Sequence, residues 1–149
     1  MYIKPDKPIP IIRGIGVDEN IINMSNAIMI VQKYGSSFEM INHNNFSIEM
    51  KYPEIGLSFS YKFNDKYQEI YLISVFHPCV AITENGLIFN QNLKLKDVID
   101  KYYQGNFYET NTEVSRMHLN GLQFEMNKSE LFSSDISPLE ASINKILVL

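Results

Sequence analysis

Ala27-Ile28-Met29-Ile30-Val31-Gln32-Lys33-Tyr34 and Leu95-Lys96-Asp97-Val98-Ile99-Asp100-Lys101-Tyr102 are two versions of one pattern, 68 positions apart. In the first, Ala27, Ile30, Val31 and Tyr34 fall at i, i+3, i+4 and i+7, the spacing that lines one face of an amphipathic helix. Leu95, Val98, Ile99 and Tyr102 answer them, and Lys101 answers Lys33. The periodicity predicts helices over about 24–34 and 93–103. Gly35 stands where a helix ends in a left-handed residue. Similar punctuation flanks both helices. Gly14-Ile15-Gly16-Val17 and Gly86-Leu87-Ile88-Phe89 precede them. Gly56-Leu57-Ser58-Phe59 and Gly121-Leu122-Gln123-Phe124 follow. A unit written twice predicts two related units, about 11–76 and 79–149, in one compact domain.

Strand patterns fill the space between. Ile48, Met50 and Tyr52 alternate with Ser47, Glu49 and Lys51, and Leu57, Phe59, Tyr61 and Phe63 alternate with Ser58, Ser60 and Lys62. With Pro53-Glu54-Ile55-Gly56 as the connection, Tyr52 faces Leu57, Met50 faces Phe59 and Ile48 faces Tyr61. Tyr67 to Val75 reads as a long strand. Asn85-Gly86 and Asn120-Gly121 predict two-residue hairpin turns; the second sets Leu119 opposite Leu122 and Met117 opposite Phe124. Ile70, Ile73 and Val75 return as Ile143, Ile146 and Val148, 73 positions on, so Asp135–Ala141 reads as an insertion before the last strand. Each unit is then a strand pair, a helix, a hairpin and a closing strand. The predicted class is α+β, with a helix packed on an antiparallel sheet in each unit.

Composition narrows the function. The chain has 149 residues, 45% of them hydrophobic, so it can bury a core. Its net charge is −4, with 13 Lys and Arg scattered singly. Phosphate binding needs clustered cations, so nucleic acid is not expected as a partner. No apolar run is long enough to span a bilayer. The start, Met1-Tyr2-Ile3-Lys4-Pro5, lacks the apolar core of a signal peptide, and Cys79 is alone. The expected compartment is the cytoplasm.

No motif for catalysis or cofactor binding emerges. His43, His77 and His118 lack partners at metal-ligand spacing. His43 sits among asparagines, a loop composition. His77 near Cys79 is not how a thiol dyad is built, since the base comes from elsewhere in the fold. Asp97 and Asp100 read as the solvated face of the second helix. Gly14-x-Gly16 lacks the third glycine of a dinucleotide fingerprint. What remains is aromatic: Tyr103, Phe107 and Tyr108, on the second helix exit and its loop, are residue types that anchor protein interfaces.

A Gly-hydrophobic-x-hydrophobic string, a short helix ending in Lys33-Tyr34-Gly35 and an aromatic hairpin into Gly-Leu-x-Phe resembles the repeats of the β-lactamase inhibitor protein and the small outer-membrane lipoproteins grouped with it. In that group a helix precedes a run of antiparallel strands, and two repeats form a concave sheet. Its lipoproteins carry a lipobox cysteine after a signal peptide, and this sequence shows neither. The chain also resembles small cytosolic immunity proteins that neutralise secreted bacterial toxins, in size, acidity and lack of enzymatic motifs. These resemblances imply a non-catalytic inhibitor whose partner is another protein, a toxin effector. The expected contact face carries Ser58, Ser60, Lys62, Gln123 and Glu125, edged by Tyr103, Phe107 and Tyr108. Such a complex buries on the order of 1,600 Å². Two other readings stay open: a ligand-binding or enzymatic domain with its pocket between the units, and a structural subunit of a secretion or surface assembly. The sequence assigns no oligomeric state.

Overall fold

Ala27–Tyr34 forms the first helix, α1, and Leu95–Lys101 the second, α2. The computed structural model describes residues 8–12, 16–17, 27–44, 47–63, 68–101, 106–109, 114–119, 122–131, 135 and 137–148. Ile30 and Tyr34 of α1, and Leu95 and Val98 of α2, are buried on the predicted stripes. Gly35 ends α1 with φ +93°, its N–H donating to the Val31 carbonyl at 2.8 Å. At the start of α2 the Lys94 N–H donates to the Asp97 carboxylate at 3.0 Å, a capping contact.

Among the described residues twelve strands accompany the helices, and the protein is α+β. In the first half they are β1 (Ile9–Ile12), β2 (Gly16–Val17), β3 (Glu39–Asn44), β4 (Ser47–Tyr52), β5 (Leu57–Phe63) and β6 (Gln68–Phe76). In the second they are β7 (Ala81–Thr83), β8 (Ile88–Phe89), β9 (Asn106–Glu109), β10 (Val114–Leu119), β11 (Leu122–Asn127) and β12 (Ile143–Val148). The short helix α3 (Lys128–Leu131) and a 3-10 turn at Pro138–Glu140 come before β12, the turn within the predicted insertion.

Eight strands join in one sheet, ordered β3-β4-β5-β6-β12-β11-β10-β9. The remaining four form a second sheet, β2-β1-β7-β8, in which β1 and β7 run parallel. The opening strand pair of each half therefore leaves the large sheet and pairs with its counterpart. The core lies between these layers. Ile9, Ile11, Ala81 and Phe89 of the small sheet share one buried cluster with both helices and with Met50, Tyr52, Phe59, Val75, Phe124, Ile146 and Val148 of the large one.

The pairing register is the same in the two halves. Leu57 faces Val75 and Phe59 faces Ile73; Leu122 faces Val148 and Phe124 faces Ile146. Both ladders slip at one place, between Ser60 and Tyr61 and between Glu125 and Met126. Where β6 meets β12, Val75 pairs with Ile146 and Ile73 with Val148, around a central pair of Ser74 and Leu147.

Three sequence expectations change. Asn85-Gly86 is not a two-residue turn: Ile82 pairs with Ile88, leaving residues 84–86 as the loop, with Gly86 at φ +87°. A third loop residue in left-handed conformation closes such a hairpin. His43 lies in strand β3, not in a loop, and Phe107 and Tyr108 lie in strand β9. Both missed strands are the outer edges of the large sheet. Edge strands pack on one side, so their sequences keep turn-like polar residues such as Asn42 and Asn44.

Candidate functional site

The face of the large sheet turned away from the core is polar, and its first half carries most of the describable chemistry. On β5, Leu57, Phe59 and Tyr61 point into the core, which sends Ser58, Ser60 and Lys62 to the other side. Ser58 pairs with Lys51 and Ser74, and Ser60 with Glu49 and Leu72. The row Ser58, Ser74, Leu147, Gln123 then crosses four strands. Ser58 and Gln123 are thus about 14 Å apart at three strand spacings.

Part of this face is closed. Ser58 and Ser60 are 1% and 4% exposed and Glu125 is 6% exposed. The expectation that they form an open surface is corrected: Ser58 and Ser60 are short side chains in mid-sheet that sink beneath longer neighbours, and Glu125 is buried in the ladder between β10 and β12. Lys62 is exposed and Gln123 half-buried. Tyr108 is in register with Arg116 and Glu125, and Phe107 with Met117 and the core residue Phe124. The side chains of Phe107 and Tyr108, and all of Tyr103, lie outside the described residues.

Tyr71 lies across this face. The ladder slip at Ser60/Tyr61 leaves Tyr71 as the extra residue between Leu72 and Ile70, and a bulge of this kind re-aims a side chain. The Tyr71 hydroxyl lies 3.0 Å from Ser47 Oγ on β4, two strands away, so its ring spans β5. Lys62 Nζ sits 4.7 Å from the centre of that ring. Likewise Lys51 on β4 reaches over Phe76 on β6, at 5.4 Å. Two ammonium groups are thereby held on aromatic faces by cation–π attraction.

Beside them stands a cluster of Ser58, Glu49 and His43. The Ser58 hydroxyl donates to Glu49 Oε2, and His43 Nε2 is 2.9 Å from Glu49 Oε1. Burial opposes ionisation of Glu49, but the Ser58 and His43 hydrogen bonds, with the charges of His43 and Lys145, outweigh it and hold its pKa below the ordinary carboxylate value. The order is wrong for nucleophilic catalysis. In a serine triad the imidazole stands between hydroxyl and carboxylate and takes the proton. Here the carboxylate stands in the middle, and a carboxylate of lowered pKa is a poor base for a hydroxyl.

The other candidates are spread apart. The His77 ring stacks on Phe89 at 4.8 Å and 6°, and Cys79 is buried in the core. A cleft of about 360 Å³ opens elsewhere, between the end of α1 and the β4–β5 turn, lined by Tyr34, Ser37, Tyr52, Glu54 and their neighbours. There the Tyr52 hydroxyl donates to the Gly35 carbonyl at 2.9 Å, and burial pushes its pKa up to about 12. Among the described residues no three His, Cys, Asp or Glu side chains gather as a metal site requires, and no helix is long and apolar enough to cross a membrane.

Tyr71, Glu49, Lys51 and Phe76 lie outside the face expected from the sequence, and His43 was weighed there only as a metal ligand. One signal was present. Ile70-Tyr71-Leu72-Ile73 breaks the strict alternation of a strand, and such a break marks a bulge. No protein-family model matches the chain, and no curated protein or solved structure matches it either.

Proposed function

We propose that this protein is a non-catalytic binding module, an inhibitor of the toxin-immunity kind acting in the cytoplasm, that docks a protein partner on the polar face of its large sheet. The observation that carries the reading is the state of that face. Among its accessible residues are lysines braced on aromatic rings, Lys62 on Tyr71 and Lys51 on Phe76. Interfaces favour side chains already fixed before binding. The Ser58–Glu49–His43 cluster stiffens the same face and lacks the order of a catalytic relay.

The contact set follows from exposure. Lys51, Lys62 and Tyr71 are the surface, with Gln123 across the seam, while Ser58, Ser60 and Glu125 support it from within. Inhibition is then occlusion: a broad, stiff face laid over the partner's active site. We also propose that the chain arose by duplication and that its joined sheet is concave on the polar side. Matched ladder slips and the self-mirrored pairing of β6 with β12 support the first part.

The test is co-expression in a bacterial host with each toxin candidate encoded beside its gene. Restored growth, with a stoichiometric complex on size exclusion that falls apart when Lys62 and Tyr71 are replaced, is the expected result. Failure to bind or protect against any such candidate, with the protein folded, would reject the reading.

A further inference from the structure

The hairpins that follow the two helices differ in one respect. Leu119 pairs with Leu122, with two residues between them, whereas Tyr52 pairs with Leu57 and leaves four, Pro53 to Gly56. The longer turn and the chain leaving α1 form the walls of the cleft of about 360 Å³. Both walls are fixed. The Gly56 N–H donates to the Tyr52 carbonyl and the Phe76 N–H to the Gly56 carbonyl, each at 2.9 Å, which pins the turn to β6. On the other side the Tyr52 hydroxyl holds the Gly35 carbonyl. Small-molecule pockets run from about 300 to 1,000 Å³, so this one suits a single small molecule or one long side chain.

We infer that this cleft binds an alkylammonium group, a protonated primary amine on a short apolar stem. The inference goes beyond the inhibitor reading and does not rest on it. Glu54 alone among the lining residues carries a charged side chain. It is exposed and makes no ion pair or hydrogen bond among the described residues. The Ser36 and Ser37 hydroxyls line the same cleft and are uncommitted in the same sense. The chain enters it from the carbonyl end of α1, the partially negative end of a helix. These acceptors sit on two separate segments, which suits the three rotatable donors of an ammonium group; the flat guanidinium fork calls for paired oxygens in one plane. Ile55, half-buried, gives the stem an apolar wall. A quaternary ammonium fits less well. It needs open aromatic faces, and Tyr34 and Tyr52 are 4% and 2% exposed, packed against Phe59 and each other. Two cations stand nearby in the chain and neither lines the cleft. Lys33 holds its Nζ 5.6 Å from the centre of the Tyr34 ring, and Lys51 reaches over Phe76.

Titration of the isotopically labelled full chain with n-butylammonium chloride, followed by amide chemical shifts, tests this. The expected perturbations centre on Gly35, Ser36, Ser37, Glu54 and Ile55, and weaken as salt is raised. Glu54→Gln should weaken binding roughly fivefold or more. Glu140→Gln, which removes an exposed carboxylate in the 3-10 turn, leaves it unchanged. Affinity should rise from methylammonium to butylammonium in the native chain, and rise less in Ile55→Ala, circular dichroism confirming that each variant is folded. Lys33→Ala should bind at least as tightly as the native chain. Choline binding as tightly as butylammonium overturns the inference, since it has no N–H to donate. So does butanoate shifting the same amides, loss of binding in Lys33→Ala, or a cleft whose amides do not move. A lysine peptide blocked at both ends separates the two sources of this head group. Tighter binding than butylammonium assigns the cleft to a lysine of a partner protein, and equal or weaker binding to a free amine; either result upholds the site.

Discussion

The Tyr71 hydroxyl meets Ser47 Oγ at 3.0 Å across an intervening strand. The bulge that frees Tyr71 from the ladder makes this reach possible, and Lys62 then rests over the ring. Tyr71→Phe should cost about 1 kcal/mol, the net worth of one hydrogen bond. Tyr71→Ala should cost about 2 kcal/mol, because the ring's apolar contacts and its cation–π contact with Lys62 go with the hydroxyl. Urea unfolding of both variants checks the order. Equal costs would mean that the ring contributes nothing beyond its hydroxyl.

Two glycines with positive φ should respond differently to alanine. At Gly56, φ +76°, a Cβ would come within 2.1 Å of the Phe76 carbonyl oxygen and 2.5 Å of the Cys79 nitrogen. Both obstacles are backbone, so Gly56→Ala must displace the turn and should cost about 3 kcal/mol or more. At Gly35, φ +93°, a Cβ meets nothing within 4 Å, and the cost is the left-handed conformation alone, about 1 kcal/mol. Thermal melts of the two variants should differ by several degrees.

Much of this fold can be read from side-chain period. Ile48, Met50 and Tyr52 against Leu57, Phe59 and Tyr61 gives the observed β4–β5 register, and Leu119 opposite Leu122 that of β10–β11. Two kinds of fact escape such reading. Edge strand β3 is exposed along nearly its whole length and shows no clear alternation, so Asn42 to Asn44 reads as a loop. Sheet membership is also hidden, because a strand pair carries the same pattern whether it extends the large sheet or joins its counterpart in a second one. The site shows the same limit. Period 2 sends Ser58, Ser60 and Lys62 to one face, but exposure depends on neighbours from other strands, such as Tyr71, which a bulge displaces so that it reaches Ser47.

Acid should weaken the fold through Glu49. Its pKa is lower in the folded chain than the ordinary 4.5. Above that value both folded and unfolded forms are ionised and the stabilisation is complete. As pH falls below it the unfolded chain takes up the proton first, and the stabilisation is lost on passing the folded value. Glu49→Gln should therefore flatten the decline of stability below about pH 4.5. Ser58→Ala should shift the decline to higher pH, since the hydroxyl that favours the carboxylate is gone. An unchanged acid limb in both variants would show that Glu49 titrates like an exposed carboxylate.

At the alkaline end the tyrosines act in the opposite sense. Burial raises Tyr52 from 10.0 to about 12, so the folded chain holds a proton that the unfolded chain releases. The associated stability is present below pH 10 and disappears as pH rises toward 12. Tyr52→Phe should lose that dependence, but at neutral pH it gives up the bond to the Gly35 carbonyl, about 1 kcal/mol. Tyr61 is raised in the same direction by burial and then by Tyr52. Its buried hydroxyl has no hydrogen-bond partner among the described residues, so Tyr61→Phe should stabilise the protein by about 1 kcal/mol at neutral pH. Denaturant midpoints of the two phenylalanine variants should move in opposite directions.

The second helix gives the sharpest check on the register from which the fold was read. Val98 is fully buried, and Val98→Asp would place an unpaired carboxylate in the core, enough to unfold a domain of ordinary stability. Sequence pattern alone puts Asp97 on the solvated face and makes its replacement neutral. In the structure its carboxylate accepts the Lys94 N–H at 3.0 Å and closes the first turn of α2. Asp97→Ala should therefore cost about 1 kcal/mol, as loss of a helix cap does, and Asp97→Glu should recover part of it. Circular dichroism should show Val98→Asp unfolded and Asp97→Ala folded with a lowered melting point. Tolerance of both changes would mean that α2 does not turn the predicted stripe inward.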